Sequence, residues 1–163
     1  MNRALVVIVG LLVLGGGSWF LWPRDDVEQI HGVLEDLRDA FNDASPRRVV
    51  NCFTDDWTDA PTGCDRDTLR AVMIAFFRAH QDRDTGEFTR DVVLDEGEVA
   101  VEVRDESSAT ASATLAFRSR VDESKPRVIW RIEVEADFRV ERGSWKIAET
   151  RWNTLEGRRP FSL

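Results

Sequence analysis

The chain has 163 residues, of which 22 are basic and 30 acidic, so its formal net charge is -8, and 42% of its residues are apolar. This length fits one domain plus an appendage, and the ordinary apolar content with only two cysteines excludes disordered, collagen-like and disulfide-rich proteins. The acidic balance argues against a general nucleic-acid binder, which needs a basic surface to displace counterions from phosphates.

The first feature along the chain is an uncharged, apolar segment over residues 4–22. As a helix it would reach about 28 Å, which is the thickness of a bilayer core. Arg3 precedes it and Trp22 ends it, a pattern typical of a single-pass anchor with a cytoplasmic amino terminus. The alternatives are a cleaved signal peptide, although no Ala-x-Ala site is present, and a buried core helix. We expect residues 1–24 to be a signal anchor in the cell membrane, with the remaining domain outside the cytoplasm.

Helical periodicity follows the anchor. Apolar residues recur at helical spacing over residues 26–43, 46–53 and 65–80, and the second of these begins with Ser45-Pro46, a cap residue and a first-turn proline. Turn-forming residues between the second and third helices predict a loop with one exposed-looking aromatic side chain, Trp57.

The two cysteines, Cys52 and Cys64, flank this loop. Outside the cytoplasm they can form a disulfide, which would close about a dozen residues and stabilise the fold by roughly 3 kcal/mol. The alternative is two free, buried thiols that act as small apolar side chains. Neither cysteine has the spacing of a metal ligand, so we expect no metal and no cofactor.

The second half of the domain changes to a period of two. Alternating apolar and polar residues predict strands over residues 99–103, 109–117, 127–141 and 144–152, with a short edge strand within 87–94. Helices followed by strands favour an α+β domain with helices packed on one face of an antiparallel sheet. We assign this domain to residues 25–157, and residues 158–163 to a tail.

Two short motifs and the order of the elements carry a resemblance: Phe53-Thr54-Asp55-Asp56-Trp57 after the second helix, and Gly143-Ser144-Trp145-Lys146-Ile147-Ala148 near the end. The chain resembles the nuclear transport factor 2-like superfamily, which includes SnoaL-like and ketosteroid isomerase-like domains. The resemblance implies a cystatin-like cone, in which three N-terminal helices pack in a strongly curved antiparallel sheet with a pocket at its wide end. Members include isomerases, dehydratases and hydrolases, as well as modules without catalytic activity.

The resemblance implies one catalytic candidate. Ketosteroid isomerase-like enzymes use an aspartate after the second helix as a base, with a tyrosine and a second acid as oxyanion donors, and Asp59 is the nearest match. The chain contains no tyrosine, which argues against that chemistry. The alternative for Asp59 is a solvated turn with local backbone hydrogen bonds.

A second candidate base is His80, which follows Met73, Phe76 and Phe77 on one helical face. It would point into the cone as a general base, or end an apolar core stripe as a hydrogen-bonded histidine.

The last predicted strand suggests a pocket. If Trp145 and Ile147 face inward, strict alternation also places Glu149 and Arg151 inward, where a buried ion pair is costly. Either a bulge corrects the alternation or these charged groups line the pocket mouth. We favour the mouth, in a cavity walled by tryptophans and suited to a modest organic ligand. The predicted lining residues are Trp57, Trp130, Glu149, Arg151 and Trp152, and the alternative is plain tryptophan packing in the core.

These observations predict a membrane-tethered, non-enzymatic domain that binds a small apolar ligand or a partner protein of the cell envelope. The alternative is a SnoaL-like lyase, isomerase or hydrolase that acts on a small organic substrate with Asp59 or His80 as its base. The alternating charges of residues 131–139 predict a polar outer sheet face, on which any homodimer would be weak.

Overall fold

The computed structural model describes residues 25–95, 97, 99–120 and 126–160. The predicted anchor, residues 1–24, lies outside the described residues. Within them, no helix has the length and apolar character needed to cross a membrane.

In chain order the elements are α1 (Asp26–Asn42), α2 (Pro46–Asn51), β1 (Phe53–Asp59), β2 (Cys64–Asp65), α3 (Arg66–Ala79), β3 (Arg90–Leu94), β4 (Ala100–Asp105), β5 (Ser108–Ser119), β6 (Arg127–Glu141) and β7 (Ser144–Gly157).

The three helices begin where the sequence signals predict. Helix α1 carries Asp26 and Glu28 in its first turn, where negative charge interacts favourably with the helix dipole. Proline is the first residue of α2, a position at which a backbone N–H would have no hydrogen-bond partner within the helix, so its absence in proline costs nothing. Helix α3 is capped by Asp65, whose Oδ1 accepts a hydrogen bond from the backbone N of Thr68 at 2.8 Å.

The prediction of three consecutive helices followed by strands was wrong in order, because β1 and β2 separate α2 from α3. Strand β1 occupies the segment predicted as a loop. Its alternation is hidden by a register shift between Phe53 and Thr58, which leaves Asp55 and Asp56 consecutively exposed. Trp57 and Asp59 are buried after the shift, so the segment is half-buried sheet and not a surface turn.

The strands form one mixed sheet in the order β2-β1-β7-β6-β5-β3, with β4 also paired to β5. Strands β3 and β4 share one edge of β5, which they pair with at residues 115–119 and 108–112 respectively. The expected antiparallel sheet is therefore correct except at β1, which runs parallel to β7. Strand β6 has the predicted bounds, whereas β7 extends to Gly157, beyond its predicted end.

The core lies between the helices and one face of this sheet. On β6, Ile132, Ala136 and Phe138 are buried, and they alternate with charged residues of the opposite, outer face. Phe41 of α1 is the centre of an aromatic cluster, with ring centroids 5.4–5.7 Å from those of Phe76, Phe77, Phe88 and Phe117. This cluster joins α1 and α3 to the sheet.

One extra residue in β7 determines which side chains face inward. Phe138 pairs with Ile147, but the preceding Asp137 pairs with Glu149, so Ala148 is a bulge. Because the bulge reverses the alternation, the next inward-facing residue is Thr150, opposite the buried Ala136. Strict alternation, which predicted Glu149 and Arg151 on the inner face, fails at this point.

The predicted disulfide is not formed, since Cys52 and Cys64 are both free, buried thiols. Cys52 immediately precedes β1, whereas Cys64 pairs with Asp59 at the opposite end of that strand. An extended strand of this length separates its ends by roughly 20 Å, far more than the about 7 Å between α-carbons that a disulfide can bridge. Burial raises the pKa of the Cys52 thiol to about 12, so it behaves as a small apolar side chain.

Candidate ligand-binding site

An apolar cavity lies between the helices and the inner face of the sheet, with a volume of about 170 Å³. An apolar cavity of about 150 Å³ in another protein is large enough to bind benzene, so this volume suits a molecule of one ring. Of the eighteen described residues that line it, sixteen are apolar: Leu34, Leu37, Phe41, Val49, Phe53, Leu69, Met73, Val92, Leu94, Ala111, Ala113, Leu115, Phe117, Val134, Ala136 and Ile147.

Two lining residues have polar side chains, Arg38 and Thr150. Arg38 belongs to α1, and its Nε donates to the Asp39 carboxylate at 2.8 Å. Thr150 belongs to β7, and its Oγ1 donates to Asp59 Oδ1 at 3.1 Å. Since the surface of the cavity is almost entirely apolar, both residues line it chiefly with carbon atoms.

Asp59 lies behind Thr150 and is 3% exposed. The two residues are directly opposite each other in the parallel pairing of β1 with β7. Asp59 Oδ1 accepts hydrogen bonds from Thr150 Oγ1 and Trp152 Nε1, each at 3.1 Å, and Oδ2 accepts one from Thr62 Oγ1 at 2.5 Å. Asp59 is thus a buried carboxylate with three side-chain hydrogen bonds and not a residue of a solvated turn, and it does not itself line the cavity.

The other candidate base, His80, is half-buried at the end of α3. Its Nδ1 lies 2.9 Å from the carbonyl oxygen of Phe76, and the centroids of the His80 and Phe76 rings are 4.3 Å apart. His80 does not line the cavity. Its position matches the interpretation as a hydrogen-bonded histidine at the end of the core stripe.

The three predicted pocket tryptophans form a second layer behind the cavity wall. The ring centroids of Trp57 and Phe53 are 4.8 Å apart, and those of Trp130 and Phe117 are 4.9 Å apart. Both phenylalanines line the cavity. Trp152 packs edge-on against Trp130 at 5.4 Å. None of the three lines the cavity, and two of them pack directly behind residues of its wall.

Glu149 and Arg151 lie on the outer face of the sheet, as the bulge at Ala148 requires. Arg151 pairs there with Asp137 at 2.9 Å, Glu135 at 3.3 Å and Glu149 at 2.5 Å. Hydrogen bonds to these carboxylates, Asp137 foremost, raise the pKa of the Arg151 guanidinium. Both residues take part in a surface ion-pair network and are absent from the cavity.

Sequence reasoning missed most of the lining residues, although one signal was present. Alanines at 109, 111 and 113 alternate along β5 and are buried, and the last two line the cavity together with Leu34 and Leu37 of α1. Small residues on a sheet face leave space where a layer of larger side chains would fill it. Among the described residues, no group of acidic, cysteine or histidine side chains is arranged to hold a metal ion.

Comparison with known proteins shows the fold. No family model and no curated protein matches the sequence. Among solved structures, a protein of unknown function from Mycobacterium tuberculosis superposes with a TM-score of 0.65 at 17% identity, over 79% of this chain and 76% of that one.

Two further structures have names that describe their class. A nuclear transport factor 2-like protein with a cystatin-like fold from Novosphingobium aromaticivorans superposes with a TM-score of 0.62 at 14% identity, over 97% of this chain and 94% of that one. A ketosteroid isomerase-like protein from Erwinia carotovora atroseptica superposes with a TM-score of 0.57 at 17% identity, over 82% of this chain and 99% of that one. At such identities the likeness concerns architecture alone. The chain has the cystatin-like, nuclear transport factor 2-like cone fold.

Proposed function

We propose that this protein binds a small apolar molecule, of about one aromatic ring, in the cavity between α1 and the sheet. The observation that carries the proposal is the cavity itself, about 170 Å³ with apolar side chains at sixteen of its eighteen lining positions. An empty apolar cavity of this size costs stability because its lining atoms lack contact partners, so a ligand that fills it is stabilising. The candidate bases do not form an acid–base pair at the cavity, which favours binding over catalysis.

A cavity-filling substitution tests this proposal. Ala113 of β5 lines the cavity, whereas Ala116 of the same strand lies on its outer face. Ala113→Leu should reduce benzene or toluene affinity at least tenfold, measured by calorimetric titration of the full chain, because the new side chain occupies the ligand's space. The matched Ala116→Leu variant should bind like the wild type. Equal affinities in both variants, or no binding by the wild type, would refute the proposal.

The tether is part of the same proposal. It is supported by the uncharged run over residues 4–22 and its flanks, and it places the ligand-binding domain outside the cytoplasm. A reporter enzyme that works only outside the cytoplasm, fused after Leu163, should be active. Activity restricted to a cytoplasmic reporter at the same position would reverse the orientation.

A second candidate function is proton abstraction by Asp59. The observation that supports it is the acceptor position left on Oδ2 of this buried carboxylate, and because Asp59 does not line the cavity, the function requires a substrate that reaches past Thr150. A screen of lyase, isomerase and esterase substrates would then find turnover by the wild type that Asp59→Asn abolishes while ligand binding persists. Activity that Asp59→Asn leaves unchanged would eliminate Asp59 as the base.

A further inference from the structure

We propose that the cavity selects its ligand by exclusion. It binds a hydrocarbon, and it rejects a molecule of the same shape that carries a hydroxyl or another hydrogen-bonding group. This selection rests on the proposed ligand-binding function and names the class of ligand, since a small apolar molecule with one polar group would otherwise also fit the volume of the cavity.

The two polar side chains of the wall are bonded to partners outside the cavity. Arg38 Nε donates to Asp39 at 2.8 Å, and the hydroxyl oxygen of Thr150 lies 3.1 Å from Asp59 Oδ1. Neither of these two aspartates lines the cavity. The surface that the described residues give the cavity is almost entirely apolar, so the wall turns carbon atoms and not polar groups toward an enclosed ligand.

The backbone of the sheet wall is also engaged away from the cavity. Ala111 pairs with Val101 of β4 on one side and with Ala136 of β6 on the other. Ala136 pairs in turn with Thr150 of β7. The backbone N–H and C=O groups of such a ladder bond to the neighbouring strands in the plane of the sheet, so they do not point toward a ligand that lies against its face.

A hydroxyl group enclosed by this wall would lose its hydrogen bonds to water and gain none in return. That loss costs far more in a medium without hydrogen-bonding groups than in one that supplies them. A methyl group of similar size has no hydrogen bond to lose, and its burial is favourable. Toluene and phenol differ only by this exchange, and each contains the single ring that a cavity of about 170 Å³ accommodates.

Calorimetric titration of the full chain with toluene, and displacement of toluene by phenol, tests the selection. We expect phenol to bind at least about thirtyfold more weakly than toluene, a ratio larger than the transfer of a hydroxyl into a hydrogen-bonding medium produces. A smaller ratio would overturn the selection and leave apolar binding intact. A wild type that binds neither compound would instead overturn the proposed function.

Substitutions of Met73 show whether the missing polar groups cause the selection. Met73 belongs to α3, lines the cavity and is 3% exposed. Met73→Gln keeps the length of the side chain and adds an amide to the wall, so the ratio of toluene to phenol affinity should fall at least fivefold. Met73→Leu changes the shape without adding a hydrogen-bonding group, so the ratio should stay within twofold of the wild-type value.

A ratio that Met73→Gln leaves unchanged, or that Met73→Leu lowers equally, would overturn the inference, because shape and not polarity would then determine the preference. If Met73→Gln does not fold, Ala113→Ser replaces it, since it adds a hydroxyl to the wall at another lining position. The same fall in the ratio is expected from this variant, and an unchanged ratio would count against the inference in the same way.

Discussion

Replacing Asp59 with alanine removes the acceptor of three side-chain hydrogen bonds at once, those from Thr62, Thr150 and Trp152. A hydrogen bond to a charged group contributes about 1.5–3 kcal/mol net, but the substitution also relieves the cost of burying the carboxyl group. We therefore expect Asp59→Ala to lower the free energy of unfolding by about 4 kcal/mol, a large part of the about 5–15 kcal/mol typical of a domain.

Urea denaturation of the full chain, followed by tryptophan fluorescence, measures this loss. Asp59→Asn should cost about half as much, since its amide oxygen still accepts from Thr150 and Trp152. Asp56→Ala is the matched control on the same strand, because Asp56 is exposed and pairs with Arg139 on the surface, where ion pairs contribute less than about 1 kcal/mol. If Asp59→Ala costs no more than Asp56→Ala, the reading of Asp59 as a buried structural acceptor is refuted.

Three further outcomes are expected. Gly157→Ala should lower the free energy of unfolding by at least about 2 kcal/mol in the same urea assay, because Gly157 has a φ of +79°, which alanine adopts only with strain, and because the new Cβ would collide with the carbonyl oxygen of Ile129. An unfolding midpoint equal to that of the wild type would contradict this. Hydrogen bonds from the hydroxyl and backbone N–H groups of two neighbouring serines lower the pKa of Asp105 to about 2, so the stability that these bonds give the fold is complete above the ordinary carboxyl pKa near 4 and is lost as the pH falls through about 2. An NMR titration of the Asp105 carboxyl group with a midpoint near 4 would disprove this. Cys52 and Cys64 should both alkylate in urea without a reductant, and resist alkylation in the native chain, whereas an alkylation-resistant pair in urea would reveal a bridge.

Elements whose pattern continues without interruption could be predicted from the sequence. In β6, apolar and charged residues alternate along the whole strand, and both of its ends were predicted correctly. Helix α1 was correct to within one residue for the same reason, since its apolar stripe repeats over several turns. A period that repeats many times determines a strand or helix whatever packs against it.

Strand β1 and the second half of β7 could not be predicted, because each contains an irregularity created by its partner strand. The shift after Phe53 and the bulge at Ala148 change which residues face inward without any change in composition. Since Asp59 and Thr150 both follow such an irregularity, alternation alone could not bring them together. Asp59 and a cavity in the cone were thus predicted from the sequence, but the hydrogen-bond partners of Asp59 and the residues that line the cavity were not.

The parallel pairing of β1 with β7 has a consequence for how the chain folds. Phe53 lies opposite Ile147, and Asp59 lies opposite Thr150, so the first long strand of the sheet has no lateral partner on that side until the last strand has been made. Contacts so distant in sequence close late and at a high entropic cost. During synthesis, the edge of β1 that pairs with β7 therefore stays unpaired until the hairpin of β6 and β7 emerges. A chain truncated before residue 147 would contain the helices and β1 but would lack the strand that pairs with this edge.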